Sequence, residues 1–348
     1  MHTEPQSILV VIPALNEVHA IESVVDALAQ DWPAGCTVRM VVADGGSTDG
    51  TVPCVRRLVA SRPWLSLLPN PQRIQSAAVN LAARVAGLDA DVLVRCDAHA
   101  DYPPGYVRQL VETLTRTGAD AVVVPMDSGG SNCVQRAVAW VSDTPLGSGG
   151  SAHRGGRRSG FIDHGHHAAF RMESFRRAGG YDESFTHNED AELDCRQRAL
   201  GSRIYLDADI RIGYSPRATL GGLARQYFHY GRGRSRTVRR HPGSLRARQL
   251  AVPLHMALCL AALLLAPWWP LLLAWPGAYG AALAAVSLQL AWRERSVCGL
   301  LAGPAAATMH GAWALGFAVG FATLREHVWV PQRAVPLWTG RRAAGERS

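Results

Sequence analysis

The longest uncharged stretch of the chain places the strongest limit on its fold. Residues 253–292 contain no Asp, Glu, Lys or Arg. A helix needs about 20 apolar residues to cross the hydrocarbon core of a bilayer, so this stretch is long enough for two spans. The sequence Pro267-Trp-Trp-Pro270 lies near its middle, where a turn with interfacial Trp is expected. A soluble core helix explains a run of this length poorly, so we predict membrane helices.

A second stretch, residues 296–324, again lacks Asp, Glu, Lys and Arg. It is either a third span or a re-entrant segment broken at Gly303-Pro304. Arg is concentrated before the membrane region, at residues 225–248, and such residues usually mark the cytoplasmic face. Three spans would place the Arg-rich tail outside, whereas two spans and a re-entrant segment would keep it inside. The sequence leaves both topologies open.

Composition says little more about function. The formal charge is +8, but all the basic side chains are Arg, which reflects coding bias as readily as nucleic-acid binding. The seven Cys have no paired spacing, so we expect reduced or buried thiols and neither a zinc knuckle nor a disulfide framework. The first apolar run begins only at Ile8, without a charged lead-in or cleavage site, so we expect no signal peptide.

The first 125 residues alternate between short apolar runs and amphipathic stretches. We expect Pro13 to end the first run, because Pro has no donor for a strand ladder. Strands that alternate with helices at this spacing predict an α/β fold with a mostly parallel sheet covered on both faces. The predicted strands are residues 8–12, 38–42, 65–68, 92–95 and 121–125.

Right-handed crossovers bring the loops that follow parallel strands to one edge of the sheet. Three of those loops contain Asn16, Asp44 and Asp97. We therefore expect these residues to share one crevice although they lie far apart in sequence.

The sequence Asp97-Ala-His99-Ala-Asp101 directly follows the fourth predicted strand. Ligands of open α/β sheets bind at the carboxyl ends of the strands. Asp97 and His99 would present oxygen and nitrogen ligands there, as a divalent metal carrying a diphosphate requires. Taken alone, the motif is equally typical of a polar turn, so the metal assignment depends on the residues around it.

The following region adds further polar candidates. Residues 147–160 form a Gly-, Ser- and Arg-rich segment that is either a lid over the crevice or a surface loop. Asp163-His-Gly-His166-His167 lacks the spacing of a second metal site, and we expect His166 and His167 to line a pocket near the acceptor. Gln226 begins an aromatic and basic stretch that lies either at the acceptor or on the membrane surface.

Asn188-Glu189-Asp190 opens a predicted helix that ends near Leu200. Acidic residues stabilise a helix N-terminus through the helix dipole, which is one explanation for the motif. The other is a general base, because a carboxylate that faces the crevice is able to take a proton from a hydroxyl group.

Four motifs of the chain, taken in order, resemble those of family 2 glycosyltransferases with the GT-A fold. They are Val10-Val-Ile-Pro-Ala-Leu-Asn-Glu17, Asp44-Gly-Gly-Ser-Thr-Asp-Gly-Thr51, Asp97-Ala-His99 and Asn188-Glu-Asp190. The resemblance covers about residues 7–230 and implies a Rossmann-like mixed sheet with helices on both faces. The Asp-Ala-His-Ala form of the third motif and the hydrophobic C-terminal region are similar to the succinoglycan-type exopolysaccharide glucosyltransferases, the ExoA-like group.

The resemblance implies a role for each motif. The residues implied in binding a UDP-sugar are Pro13, Asn16, Glu17, Asp44, Arg73 and Asp97. Asp97 and His99 would bind Mg²⁺ or Mn²⁺, and Asp190 would be the catalytic base, supported by Glu189. The expected reaction inverts the anomeric configuration while a hexose, glucose by the resemblance, moves to a lipid-linked saccharide acceptor.

Two departures from the family pattern refine this expectation. His99 stands where the metal motif usually has Asp, which favours Mn²⁺ over Mg²⁺ or gives Asp101 an assisting role. Processive polysaccharide synthases carry Gln-x-x-Arg-Trp after the base, whereas Gln226 is followed by Tyr-Phe-His-Tyr. We therefore expect one sugar to be added per encounter.

The expected organisation has four parts. They are a glycosyltransferase domain at 1–230, a basic juxtamembrane segment at 231–250, a membrane region with two to three hydrophobic segments at 251–324, and an Arg-rich tail at 325–348. We expect a multi-pass inner-membrane protein with a cytoplasmic catalytic domain and with other glycan-assembly enzymes as partners. The alternatives are a polyprenyl-phosphate sugar synthase and a non-catalytic membrane scaffold or nucleic-acid binder.

Overall fold

The computed structural model describes residues 5–148 and 158–331. Most of the segment 147–160 lies outside the described residues, as does the tail beyond residue 331. The strands are β1 (Ser7–Ala14), β2 (Thr37–Asp44), β3 (Leu65–Pro69), β4 (Val92–Arg95), β5 (Ala121–Val124), β6 (Met126–Ser128), β7 (Gly160–Ile162), β8 (His166–Arg171), β9 (Ile204–Leu206) and β10 (Ile212–Tyr214).

The α-helices lie between the strands and continue beyond the last of them. They are α1 (Ile21–Leu28), α2 (Thr51–Ser61), α3 (Gln75–Val85), α4 (Tyr106–Thr117), α5 (Cys133–Ser142), α6 (Pro145–Ser148), α7 (Met172–Arg177), α8 (Glu189–Ala199), α9 (Leu220–Arg240), α10 (Ala247–Leu265), α11 (Ala274–Arg293) and α12 (Ala302–Thr323).

An eight-stranded sheet forms the centre of the N-terminal part, in the order β3-β2-β1-β4-β8-β5-β9-β7. β8 runs antiparallel to both of its neighbours, and β7 runs antiparallel to β9. The remaining pairs in this sheet are parallel. This mixed sheet confirms the predicted fold class, and all five predicted strands occur as β1 to β5.

Helices cover both faces of the sheet, as predicted. Successive residues of a strand point to opposite faces. Val10 and Ile12 of β1 belong to a buried cluster with α1, α2 and α4. Leu9 and Val11 belong to a second cluster with α3, α7 and α8. The near-continuous apolar sequence of β1 follows from this burial on both faces.

The prediction that Pro13 ends the first strand is wrong. β1 continues to Ala14, and Pro13 is paired with Ala43 of β2. The pairing of β1 with its other neighbour, β4, stops at Val11 and Arg95. Pro13 therefore has a strand neighbour on one side only, which is the edge-like position where a strand tolerates Pro.

The C-terminal part contains two helices long and apolar enough to cross a membrane, Pro270–Arg293 and Val297–Thr323. The most apolar window of the first is almost entirely exposed, whereas the second is partly buried. A shorter apolar helix, Gln249–Leu265, precedes them. For residues 253–292 the expectation is two spans. The structure has one helix long enough to cross a membrane, Pro270–Arg293, and the shorter helix Gln249–Leu265, which ends just before the turn at Pro267–Pro270.

The long helix α9 links the sheet domain to the last candidate span by packing against α12. This helix runs without interruption through residue 230, where we expect a domain boundary. A Cβ atom added at Gly316 would lie 2.0 Å from the Phe228 carbonyl oxygen, and one at Gly231 would lie 2.1 Å from the Trp313 carbonyl oxygen. α9 and α12 therefore cross in close backbone contact, which only residues without a side chain permit at these two positions.

The expectation of unpaired thiols is wrong for one pair. Cys133 of α5 and Cys298, in the turn before α12, form a disulfide with a Cα–Cα distance of 4.7 Å. They are separated by 165 residues, so their spacing gives no signal in the sequence. The bond ties a helix of the sheet domain to the C-terminal helices.

The crossing of α9 and α12 gives a test of the fold. We expect Gly316→Ala to lower the free energy of unfolding by about 1–3 kcal/mol, because the added methyl group forces the two helices apart. Gly311→Ala on the same helix is the matched control, since a Cβ atom there meets nothing within 4 Å. Thermal melting of both variants in detergent measures the difference. Equal melting temperatures would contradict the close crossing.

Candidate active site

A cavity of about 1060 Å³ lies at the carboxyl edge of β1 and β4 and extends to α9, α10 and α12. β1, β2 and β4 are adjacent and parallel, so the loops that follow them meet at this edge. The antiparallel strand β8 begins at the same edge, because Ala169 pairs with Val94. The predicted site residues that line the cavity are Pro13, Glu17, Arg73, Asp97, His99, His166, Glu189, Asp190 and Gln226.

Asn16 and Asp44 organise the loops beside the cavity and are not among its lining residues. The Asp44 carboxylate accepts hydrogen bonds from the Gly46 and Ser47 amides, at 2.8 and 3.1 Å, and from Ser47 Oγ, at 2.5 Å. Asn16 has a positive φ of 60°, and its side-chain oxygen accepts from the Thr48 amide at 2.8 Å. Their direct contact with a nucleotide stays a prediction.

Arg73 connects the same loop to the cavity wall. Its Nε donates to the Gly45 carbonyl at 2.9 Å, and a terminal nitrogen donates to the Gly46 carbonyl at 3.3 Å. The backbone at Arg73 is left-handed, with φ of 61°, which turns the chain just before α3. These contacts place the guanidinium of Arg73 over the loop that follows β2.

Asp97 and His99 both reach the cavity, as predicted. Asp97 Oδ1 accepts from Gln75 Nε2 at 2.6 Å, and Oδ2 lies 3.5 Å from His166 Nε2. His99 Nδ1 lies 2.8 Å from Glu17 Oε1, and its ring is 60% exposed. Burial favours the protonated form of Asp97, but the nearby Arg95 charge and His166 keep its pKa below the usual value. Asp97 is therefore ionised at neutral pH.

These side chains fit a divalent cation by the chemistry of their donor atoms. In residues 5–148 and 158–331, no group of three or more His, Cys, Asp or Glu side chains is arranged to hold a metal alone. Cations at diphosphate sites take one or two side-chain ligands and complete their shell with substrate phosphates. Asp97 and His99 meet that requirement. Asp101, the third polar residue of the motif, instead pairs through its backbone with Gly213 and does not line the cavity.

Arg95 lies at the centre of the site, and the sequence analysis missed it. Its side chain is 5% exposed, and it donates to Asp190 Oδ1 at 2.7 Å. Asp97 Oδ1 and Glu189 Oε1 lie 3.5 and 4.0 Å from its other terminal nitrogen. One buried guanidinium thus faces three carboxylates. An Arg at the end of an otherwise apolar strand was the available signal, because a buried charge needs a partner.

Glu189 and Asp190 lie in the first turn of α8. A contact with α9 holds that turn in place. Asn188 precedes them with a positive φ of 69°. Its side-chain amide donates to Thr237 Oγ1 of α9 at 2.7 Å. The position of α9 therefore determines where the two carboxylates enter the cavity.

The two neighbouring carboxylates have opposite pKa shifts. Burial and the adjacent Asp190 charge raise the pKa of Glu189 to about 7. Burial also disfavours ionised Asp190, but the Arg95 charge and His167 lower its pKa well below the usual value. Such divergence between neighbouring carboxylates is typical of acid–base sites.

His166 and His167 differ from the expectation that both contact the acceptor. His166 lines the cavity, and burial lowers its pKa although Asp97 opposes the shift. His167 is fully buried and is not a lining residue. Its ring nitrogens lie 2.8 Å from Tyr181 Oη and 2.7 Å from Asp194 Oδ1. Consecutive strand residues face opposite sides, so only one of the pair is able to reach the cavity.

The opposite end of the cavity is basic and aromatic. Gln226 donates to Tyr214 Oη at 3.1 Å and to Tyr230 Oη at 2.9 Å, so its amide is held in place. Arg217 and Arg225 line this end and make no ion pair with any residue that the structure describes. Met309 and Trp313 of α12 close the wall on the side of the candidate spans.

Comparisons with known proteins agree with this architecture. The model of glycosyl transferase family 2 matches residues 9–179. The succinoglycan biosynthesis protein ExoA of Rhizobium meliloti (strain 1021) is 44% identical over 312 residues, which cover 89% of this chain and 94% of ExoA. A Pyrobaculum calidifontis mannosyltransferase, solved with GDP-Man and Mn²⁺, has a TM-score of 0.59 and 22% identity. The match covers 92% of this chain and 88% of that one.

The sequence relative and the family model confirm the predicted family, and the solved structure confirms the GT-A-like fold. On this evidence the chain is a glycosyltransferase that belongs to family 2 and is related to ExoA of exopolysaccharide synthesis.

Proposed function

We propose that this chain transfers a hexose from a UDP-sugar to a lipid-linked saccharide, with inversion, during exopolysaccharide or cell-surface glycan assembly. The observation that carries the proposal is the continuity of the cavity. Its lining includes Asp97, His99 and the two carboxylates of α8, here called the donor end, and also residues of α9, α10 and α12, here called the acceptor end. A donor and an amphiphilic acceptor would therefore meet at Asp190. Glucose is the proposed hexose because the motifs resemble those of the exopolysaccharide glucosyltransferases.

The donor end supplies ligands for a nucleotide diphosphate. Pro13, Glu17 and Arg73 line it beside the loops that Asn16 and Asp44 organise. Asp97 and His99 would hold Mg²⁺ or Mn²⁺, and the mannosyltransferase of similar fold was solved with Mn²⁺. When bound, the cation would neutralise the charge that develops on the leaving diphosphate.

The base in this proposal is Asp190. An acceptor hydroxyl is a weak nucleophile, so a carboxylate that removes its proton during attack lowers the barrier. Asp190 is ionised at neutral pH because Arg95 and His167 favour its charged form. Attack from the face opposite the leaving UDP forms the new C–O bond as the old one breaks. An α-linked donor then gives a β-linked product.

The acceptor end combines charge with apolar surface. Arg217 and Arg225 are suited to the phosphate groups of a lipid-linked saccharide. In this proposal Gln226 and His166 would contact its sugar. The apolar chain of the lipid would lie against α10 and α12, where Val252 and Trp313 line the cavity.

Attachment to the membrane is part of the same proposal. We propose an inner-membrane protein with its catalytic domain in the cytoplasm, where UDP-sugars are available, and with other glycan-assembly enzymes as partners. The two helices long enough to cross the membrane, together with the Arg-rich α9 beside them, support this placement. A nucleic-acid ligand is disfavoured because five carboxylates line the cavity and would repel phosphates unless a divalent cation intervenes.

Asp190→Asn separates binding from chemistry. We expect the variant to retain UDP binding and to lose at least a hundredfold of the transfer rate, a loss on the order of those seen when one stabilising group of an active site is removed. The assay uses full-length protein in detergent, a panel of UDP-sugars, a lipid extract and Mn²⁺, and mass analysis of the product.

Asp89→Asn is the matched control for this experiment, because Asp89 is an exposed carboxylate paired with Arg39 away from the cavity. Equal loss of UDP binding and transfer in Asp190→Asn would reject the base assignment. Nearly normal transfer would favour an acceptor that is already ionised, such as a polyprenyl phosphate. Transfer by the wild-type protein without any divalent cation would reject the metal site.

The pKa of Glu189 predicts a pH dependence. Glu189 is protonated below about pH 7 and ionised above it. Its negative charge makes Asp190 more basic, so we expect kcat to rise as the pH is raised through about 7. Glu189→Gln should remove this step and lower the upper plateau about tenfold. A step that persists unchanged in Glu189→Gln would contradict this role.

A further inference from the structure

A buried chain of charged groups lies behind the proposed base. His167 Nε2 is 2.7 Å from Asp194 Oδ1, and His167 Nδ1 is 3.1 Å from Asp190 Oδ1. The side chains of His167 and Asp194 are 0% and 1% exposed. Neither can touch a substrate in this position. The reaction described above therefore does not use them directly, although His167 contacts Asp190 and Asp194 contacts His167.

The surroundings of His167 are otherwise aromatic. Its ring packs against Phe170 with centroids 4.8 Å apart, and Tyr181 Oη lies 2.8 Å from Nδ1. Burial of charged groups costs several kcal/mol per ion unless geometry and hydrogen bonds compensate. Here an imidazolium would donate from Nε2 to Asp194 and from Nδ1 to Tyr181 Oη, with the Asp190 carboxylate 3.1 Å from Nδ1 as an ion-pair partner. Such an arrangement adds little to stability compared with apolar packing, so a role in fixing the base is the better explanation.

Arg95 and His167 approach the same oxygen of Asp190. The Arg95 guanidinium donates to Oδ1 at 2.7 Å, and His167 Nδ1 is 3.1 Å from that atom. No residue that the structure describes is seen to donate to Oδ2. We propose that His167 and Asp194 are positioning residues that, with Arg95, fix Asp190 by Oδ1 and leave Oδ2 for the acceptor hydroxyl. This inference rests on the proposed role of Asp190 as the base.

The arrangement has an electrostatic consequence. Burial favours neutral His167, but Asp194 and Asp190 raise its pKa to about 10, so the ring is charged at neutral pH. That charge lowers the pKa values of both Asp190 and Glu189. Removal of the charge should raise both. Several titratable and charged groups surround Asp190 and Glu189. They are Arg95 and Asp97 from β4 and its loop, His164, His166 and His167 before and on β8, Tyr181, and Asp194 on α8.

The test is the pH dependence of transfer by His167→Gln, which keeps a hydrogen-bonding side chain but cannot carry the charge. We expect the midpoint of the acid limb of kcat to move up by about one pH unit. We also expect kcat at neutral pH to fall about tenfold, while the KM for the UDP-sugar stays unchanged. Asp194→Asn should move the midpoint in the same direction, because the neutral amide no longer stabilises the imidazolium.

The matched control is a contact at Glu192, which lies on α8 as Asp194 does. His241 Nε2 lies 3.0 Å from Glu192 Oε1, which is a buried histidine–carboxylate contact that does not reach Asp190. His241→Gln should lower the melting temperature without moving the acid limb. If His167→Gln does not fold, Asp194→Asn decides the question, since Asn has the shape of Asp.

Three outcomes separate the possible failures. A wild-type protein without transferase activity rejects the proposed function itself. An active wild type whose variants lose activity at an unchanged midpoint rejects the positioning role, because a merely structural defect does not alter the titration. A midpoint that moves equally in His241→Gln also rejects it, because the shift would then reflect general loosening of α8.

Discussion

The buried guanidinium of Arg95 is the interaction on which the rest of the site depends. Three carboxylates converge on it, two of them from α8 and one from the loop after β4. Without a cation between them, these groups would repel one another in a region of low dielectric, and one or more would take up a proton. Arg95 thus links the proposed metal ligand Asp97 to the proposed base Asp190 in one electrostatic unit. It also explains why β4, a strand of four residues, ends in a charge that is almost completely buried.

The position of α8 depends in turn on contacts far from the chemistry. Asn188 turns the chain into α8 and is held by Thr237 of α9. α9 packs tightly on α12 through Gly231 and Gly316. The helices next to the candidate membrane region therefore support the same turn that carries Glu189 and Asp190. α9 thus runs without a flexible linker through residue 230, where we expect the domain boundary.

Local pattern was enough to predict the first half of the fold. The predicted strand at 92–95 coincides with β4, and the loops after β1 and β4 meet as expected. The sequence did not reveal β8, because its register depends on insertion between β4 and β5, which is a long-range event. The Cys133–Cys298 bond was missed for the same reason. Within the site, the motifs identified the carboxylates but not Arg95 or the burial of His167, since neither follows from spacing.

Arg95 joins the proposed metal ligand Asp97 and the proposed base Asp190 in one electrostatic unit, and Arg95→Gln tests this coupling most directly. Mn²⁺-dependent UDP binding and hexose transfer are measured on the same preparation of full-length protein in detergent. We expect UDP binding to weaken about tenfold and transfer to be lost, since both Asp97 and Asp190 lose their shared partner. A folded variant that keeps transfer within about twofold of the wild type would contradict the account.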